Sequence, residues 1–141
     1  MQDLYKVLAY VTRRLDGRVE LLVFDHRDIP AAGVQVPAGT VEDGESTVAA
    51  AVRELAEESG LLDLSPRAVI DQYVWINPET GNRHHRHVYQ FDAPPGLADE
   101  WSHQPTGGDE ETKMIFEFFW LPIEQASTLA GEQGRSIHKL V

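Results

Sequence analysis

The chain has 141 residues, 42% apolar and 25% charged, an ordinary make-up for a globular unit large enough to build one core without staples. It contains no cysteine, which excludes a disulfide framework, a thiolate metal site and a cysteine nucleophile, and fits a reducing, cytoplasmic setting. The formal net charge of −11 repels polyanions at long range, which argues against extended nucleic acid as a partner but not against a small phosphate compound neutralised locally.

The first eleven residues carry Asp3 and Lys6 and no long apolar run, so neither a signal peptide nor a membrane span is expected. Residues 4–13 read as a strand, Asp16-Gly17 as a turn, and 18–24 as the second arm of a hairpin. A loop with Pro30 and Gly33 leads to a short strand at 34–36, ended by Pro37. Residues 46–59 form the clearest helix. Ser46 is placed to cap it, Ala49, Ala50 and Ala51 favour it, and Gly60 stands where it should stop. Val48, Val52, Leu55 and Ser59 make one stripe at helical spacing, which directs that face to the core. Strands follow at 67–76 and 84–91, joined by a turn at 77–82, and again at 114–121. Residues 122–130 read as a second helix with Pro122 at its first turn, and the last ten or so as a loose tail. The stretch 92–112 has no pattern of its own, and a loop that long in a compact domain is often functional. No repeat or linker divides the chain, so 1–141 is expected to be a single domain, with strands and two helices in a mixed α/β arrangement.

Glu54, Glu57 and Glu58 stand at i, i+3 and i+4 on the first helix, within about 100° of arc, turned away from the apolar stripe. Acidic clusters usually just face water. Here, however, like charges one turn apart oppose the helix, and the macrodipole disfavours anions toward its C-terminal half. A hard divalent cation, which takes oxygen ligands, reverses both penalties.

The surroundings are more specific. Gly39, Glu45, Arg53-Glu54-Leu55, Glu57-Glu58 and Gly60-Leu61 fill all nine specified positions of the pattern G-x5-E-x7-R-E-U-x-E-E-x-G-U, with U a bulky aliphatic. At average residue usage, a chance match is on the order of one in a billion per starting position. Residues 39–61 thus resemble a complete Nudix box. Val36-Pro37-Ala38-Gly39 resembles the family's lead-in, with Ala38 where glycine is more usual. Phe119-Trp120-Leu121-Pro122 resembles its last strand entering a second helix.

The resemblance implies an α/β (α+β) fold, a Nudix-type α/β/α sandwich with a mixed β-sheet. It also implies a metal-dependent hydrolase that cleaves a phosphoanhydride bond in a nucleoside diphosphate linked to another moiety, such as a nucleoside triphosphate, ADP-ribose or nucleotide sugar. Glu54, Glu57 and Glu58 would bind Mg²⁺ or Mn²⁺, helped by a backbone carbonyl of Ala38 or Gly39. Arg53 would orient the box carboxylates, supported by Glu45. The general base would be Glu57 or an acid of the long loop: Glu100, Asp109, Glu110 or Glu111, with Gly107-Gly108 as a possible hinge. Dimers are common in the family, so a homodimer stays open. A non-catalytic nucleotide sensor of the same fold is the alternative, although such modules usually lose box carboxylates. A prenyl diphosphate isomerase would need a cysteine.

Two further features stay open. In Arg83-His84-His85-Arg86-His87, strand alternation puts His85 and His87 on one face and His84 and Arg86 on the other, where a phosphate contact and a plain exposed turn compete. Tyr73, Trp75, Tyr89 and Trp101 are candidates to stack on a base, though aromatics at strand spacing are more often core. Pro78 lies near where ADP-ribose cleavers tend to carry a proline, but Asn77-Pro78 is also an ordinary turn.

Overall fold

In the computed structural model, which describes residues 1–107 and 113–141, the long strand β1 (Asp3–Leu15) organises the sheet. Its C-terminal half pairs antiparallel with β2 (Arg18–His26) across Asp16-Gly17. Both turn residues take positive φ, 52° and 78°, as a two-residue hairpin of matching twist requires. Toward its other end, β1 pairs with the three-residue β3 (Ala38–Thr40), register Lys6↔Thr40, Val7↔Gly39 and Leu8↔Ala38. Along its other edge it runs parallel to β5 (Arg83–Asp92) from Asp3↔Arg83 to Thr12↔Asp92. With β4 (Ala68–Ile76), β6 (Trp101–His103) and β7 (Phe116–Pro122), the described residues give seven strands in the order β4-β5-β1-β2-β7-β6, with β3 beside β1. Among the described strands only β1 and β5 are parallel, so the sheet is mixed, as expected.

The period-two alternation of β1 feeds two cores. Val7, Ala9 and Val11 face one side, packed with Phe91 and Phe118 under Ala50, Ala51 and Leu55 of the helix α1 (Thr47–Ser59). Leu8 and Tyr10 face the other, with Leu21, Val23 and Val88, covered by Ala126, Leu129, Ile137 and Leu140. The Ser46 hydroxyl caps α1 by accepting Ala49 N–H at 3.1 Å, and Gly60 ends it at φ 82°, as the residue types demand. No helix among the described residues is long and apolar enough to cross a membrane.

Five sequence expectations change. The strand expected at 34–36 lies instead at 38–40. Gln35 makes a lone bridge to Phe24, Val36 N–H is taken by the Gln133 side chain at 2.8 Å, and Pro37 has no N–H to donate, so a ladder begins only after it. On α1, Val48 is exposed while Ala50 and Ala51 are fully buried, which rotates the core face toward the small residues. The second helix is not an α-helix. It is a 3₁₀ turn over Ile123–Thr128, broken by extended Leu129, with further short turns at Ala130–Glu132 and Ile137–Lys139. The second outer layer of the sandwich is therefore built of tight turns. The tail is not loose: Ser136 is fully buried, its hydroxyl 2.5 Å from Asp71 Oδ2, and Val141 exchanges two 2.9 Å hydrogen bonds with the Gln90 amide. Finally, the patternless 92–112 stretch contains β6.

Candidate active site

The three glutamates of α1 point neither into solvent nor into the apolar core. Glu54 and Glu58 are buried, at 9% and 5% exposure, and Glu57 is half-buried beside them. Each meets a separate piece of backbone. At Gly39 an added Cβ would lie 1.9 Å from Glu54 Cδ, so the carboxylate occupies the space a side chain would need. Ala38 N–H donates to Glu58 Oε1 at 2.7 Å. At Gly107, with φ +100°, an added Cβ would lie 2.6 Å from Glu57 Cδ. The β1–β3 pairing holds the first two contacts in place.

Arg53 binds the group together. Its Nε and Nη2 grip both oxygens of Glu45 at 2.8 and 2.9 Å, a bidentate fork. Nη2 also donates to Thr40 O at 2.9 Å, while Nη1 reaches Glu54 Oε1 at 2.8 Å and Glu57 Oε2 at 3.2 Å. The Arg53 guanidinium, with the Glu42 backbone N–H, holds the Glu45 carboxyl down at about 2. The acids in turn raise the arginine further above its usual range, Glu45 most.

A strap spanning β6 and the residues after it grips the end of α1. Trp101 Nε1–H donates to Ser59 O at 3.0 Å, Thr106 N–H to Glu57 O at 3.0 Å, and a His103 ring nitrogen lies 3.2 Å from the same oxygen. These contacts satisfy helix-end carbonyls that have no partner within the helix. They also deliver Gly107 to the Glu57 carboxylate. Sequence reasoning missed the strap; the only signals were Trp101, read as core or stacking, and the Gly107-Gly108 pair. Among the expected bases, Glu57 is in the site, and Glu100 is exposed just before β6, seven residues from Gly107. Asp109, Glu110 and Glu111 lie outside the described residues, as does Gly108.

A cavity of about 250 Å³ opens beside the box, lined by Lys6, Ala38, Gly39, Glu58, His84 and Arg86 among others. Burial, then the Lys6 and Arg86 charges, lowers the His84 pKa. A second cavity of about 480 Å³, with Trp75, Asn77, Pro78 and Gly131 in its walls, shares Gln35, Arg86 and Gln133 with the first. The two form one groove. His84 and Arg86 thus face the groove, while His85 stacks on Tyr5 across the sheet, the division that alternation implied. Of the aromatics, Tyr89 is core, Trp101 braces α1, and Trp75 lines the groove.

Whether a cation fits is decided by donor type and charge. Glu58 lines this cavity, and Glu42, Glu45, Glu54 and Glu57 surround Arg53 beside it; against these five acids stand three cations, Arg53, Lys6 and Arg86, an excess of two negative charges. All the acids offer hard oxygen donors suited to a divalent ion. Among the described residues, no three carboxylate or imidazole groups converge at chelating spacing. Arg53 spans Glu54 and Glu57, and the Ala38 backbone holds Glu58.

Comparisons with known proteins identify the family and bear out the fold. The family model for the NUDIX domain matches residues 5–140. The chain belongs to the NUDIX family. It is 39% identical over 62 residues to an RNA pyrophosphohydrolase from Roseobacter denitrificans, a match covering 44% of this chain and 39% of that protein's length. Its fold is similar to the crystal structure of a MutT protein from Methanosarcina mazei Go1, with TM-score 0.68 at 20% identity, covering 97% of this chain and 91% of that one. It is also similar to that of the C. elegans Ap4A hydrolase, with TM-score 0.65 at 19% identity, covering 99% and 96%.

Proposed function

We propose that this Nudix hydrolase cleaves a phosphoanhydride bond in a small nucleoside diphosphate derivative, using Mg²⁺ or Mn²⁺ held by Glu54, Glu57 and Glu58 beside the Ala38-Gly39 backbone. One observation carries the reading: three carboxylates of a single helix are packed against neighbouring backbone by glycines, a backbone N–H and one arginine, with Glu58 lining the groove and negative charge left in excess. A bound divalent cation would offset that charge, neutralise the diphosphate and acidify a water molecule.

The chain's own residues do the rest. Arg53 and Glu45 fix the carboxylate positions, and Glu57, braced through its own carbonyl by the strap, accepts the proton of the attacking water. Lys6, His84 and Arg86 receive the phosphates. Nucleoside triphosphates, ADP-ribose, nucleotide sugars and dinucleoside polyphosphates all carry the required bond. The Ap4A hydrolase name of one structural neighbour supports the dinucleoside polyphosphates among these, and the absence of cysteine fits a cytoplasmic enzyme.

A screen for phosphate or mononucleotide release from such compounds, with Mg²⁺ and with Mn²⁺, tests the reading. Activity on at least one is expected, abolished by chelation and by Glu58→Gln. Full activity of that variant would refute the metal assignment. Tight nucleotide binding without turnover across the panel would instead establish a sensor.

A further inference from the structure

We propose that Trp75 is the platform for the substrate's base. The planar base of a nucleoside diphosphate derivative stacks on this indole in the outer cavity, and its phosphates run past Arg86, His84 and Lys6 toward Glu58. The proposal deepens the hydrolase reading of the same site and rests on it.

Sheet register draws this path. Tyr73 pairs with Arg86, Arg86 with Lys6, and Lys6 with Thr40, so one row crosses β4, β5, β1 and β3. Three strand spacings make that row about 14 Å long. It starts at the β4 edge beside Trp75 and ends at the box loop. Trp75 itself pairs with His84, which places the indole next to His84 and Arg86, the β5 residues on the groove face.

The indole is held before any ligand arrives. The Arg86 guanidinium sits 4.1 Å from its ring centre, and the His84 ring meets it edge-on at 5.2 Å. Its Nε1–H donates to Glu132 Oε2 at 2.8 Å. Arg86 is fixed in turn by donating to Gly131 O at 2.7 Å. A ring locked on three sides at the wall of an open cavity loses little freedom when a second ring packs on it. Stacking accepts any base, because every base has a π-face.

Two amides stand where the cavities join. The Gln35 Nε2 donates to Ala32 O at 3.3 Å, which leaves Oε1 as its acceptor for a ligand. The Gln133 Oε1 accepts Val36 N–H, which leaves Nε2 as its donor. One acceptor and one donor at mid-groove suit ribose hydroxyls between base and phosphates.

The simpler role for Trp75 is to cover Arg86, and the experiment separates the two. Binding of ADP and of inorganic pyrophosphate is measured for the wild-type chain, Trp75→Ala and Trp75→Phe. Loss of one base stack weakens ADP roughly 5- to 150-fold in Trp75→Ala. Pyrophosphate binding stays within about twofold, and Trp75→Phe restores ADP. Unchanged ADP binding, or equal loss of both ligands, overturns the proposal.

Saturation transfer from adenine H2 and H8 to the indoles of the wild-type chain needs no folded alanine variant. Transfer to the Trp75 ring, assigned with Trp75→Phe, is expected, and its absence overturns the stack. The same preparations are assayed for AMP release from ADP-ribose. Transfer to Trp75 without turnover supports the stack and counts against the hydrolase reading. Turnover indifferent to Trp75→Ala sinks the stack and leaves the hydrolase.

Discussion

Arg53 faces Glu42, Glu45, Glu54 and Glu57 with a single guanidinium, Glu42 most distantly at 3.8 Å. What it supplies is geometry as much as charge, since its planar fork uses three nitrogens on separate acceptors. Lysine keeps the charge but has no fork. Arg53→Lys should therefore cost about 1–2 kcal/mol in urea unfolding and lower kcat/KM at least about tenfold, because Glu54 and Glu57 lose their shared anchor. A variant with wild-type kcat/KM would show that the fork is not needed to orient the acids. The partner acid makes a pH prediction. Glu45 falls from an ordinary 4.5 to about 2 in the folded chain. In that interval the unfolded chain binds the proton and the folded one does not. Its contribution is thus complete above about pH 4.5 and is lost as pH falls toward 2. The gap in thermal midpoint between the wild-type chain and Glu45→Gln should be constant from pH 6 to pH 8 and close progressively below about pH 4.5. A gap that persists undiminished to pH 2.5 would mean that the Arg53–Glu45 pair is not its source.

At the scale of elements, the site is one helix pressed against two glycine-bearing loops. Gly39→Ala would drive a methyl group into the Glu54 carboxylate, with ordinary backbone otherwise. The expected result is a folded protein by circular dichroism whose kcat falls about a hundredfold, the effect of displacing a reacting group by an ångström. Gly107→Ala adds backbone strain at φ +100° to a collision with Glu57, so it should lower both activity and stability. Ser46→Ala, at the opposite end of α1, should cost about 1 kcal/mol in urea and leave kcat unchanged. These glycines also show what was legible in sequence. The box could be read because its chemistry is local: a cap, a 3.6-residue repeat and a C-terminal glycine all lie within one element. The hairpin at Asp16-Gly17 was legible for the same reason. Long-range choices were not. Whether 34–36 or 38–40 became β3 depended on Gln133, almost a hundred residues away, taking the Val36 N–H. That 123–128 winds as 3₁₀ and not α depended on returning Ala130 N–H to Val34 O at 2.9 Å. The strap over the end of α1 had no periodicity to betray it, because its bonds run to helix-end carbonyls.

At the scale of the molecule, the C-terminal turns tie fold stability to the groove. They cover the second core, and they also supply Gly131 and Gln133 to the groove wall. Their attachments are polar and widely spread. Tyr10 donates its hydroxyl to Gln133 O, Ser136 meets Asp71, Arg86 meets Gly131, and Gln90 holds Val141. Tyr10 is the innermost of these, fully buried in the centre of β1. Burial pushes its phenol well above the usual range, so it remains a donor at every ordinary pH. Tyr10→Phe keeps the ring and removes only that donor, leaving the Gln133 carbonyl short of a partner. The loss should be about 1–2 kcal/mol in urea unfolding. If the turns and the groove move as one unit, amide exchange should quicken at Val36 and Leu140 while α1 stays protected, and KM should rise with kcat held. Faster exchange spread evenly over α1 and the turns, or a fall in kcat with KM unchanged, would show that this hydrogen bond stabilises the fold globally without setting the groove wall.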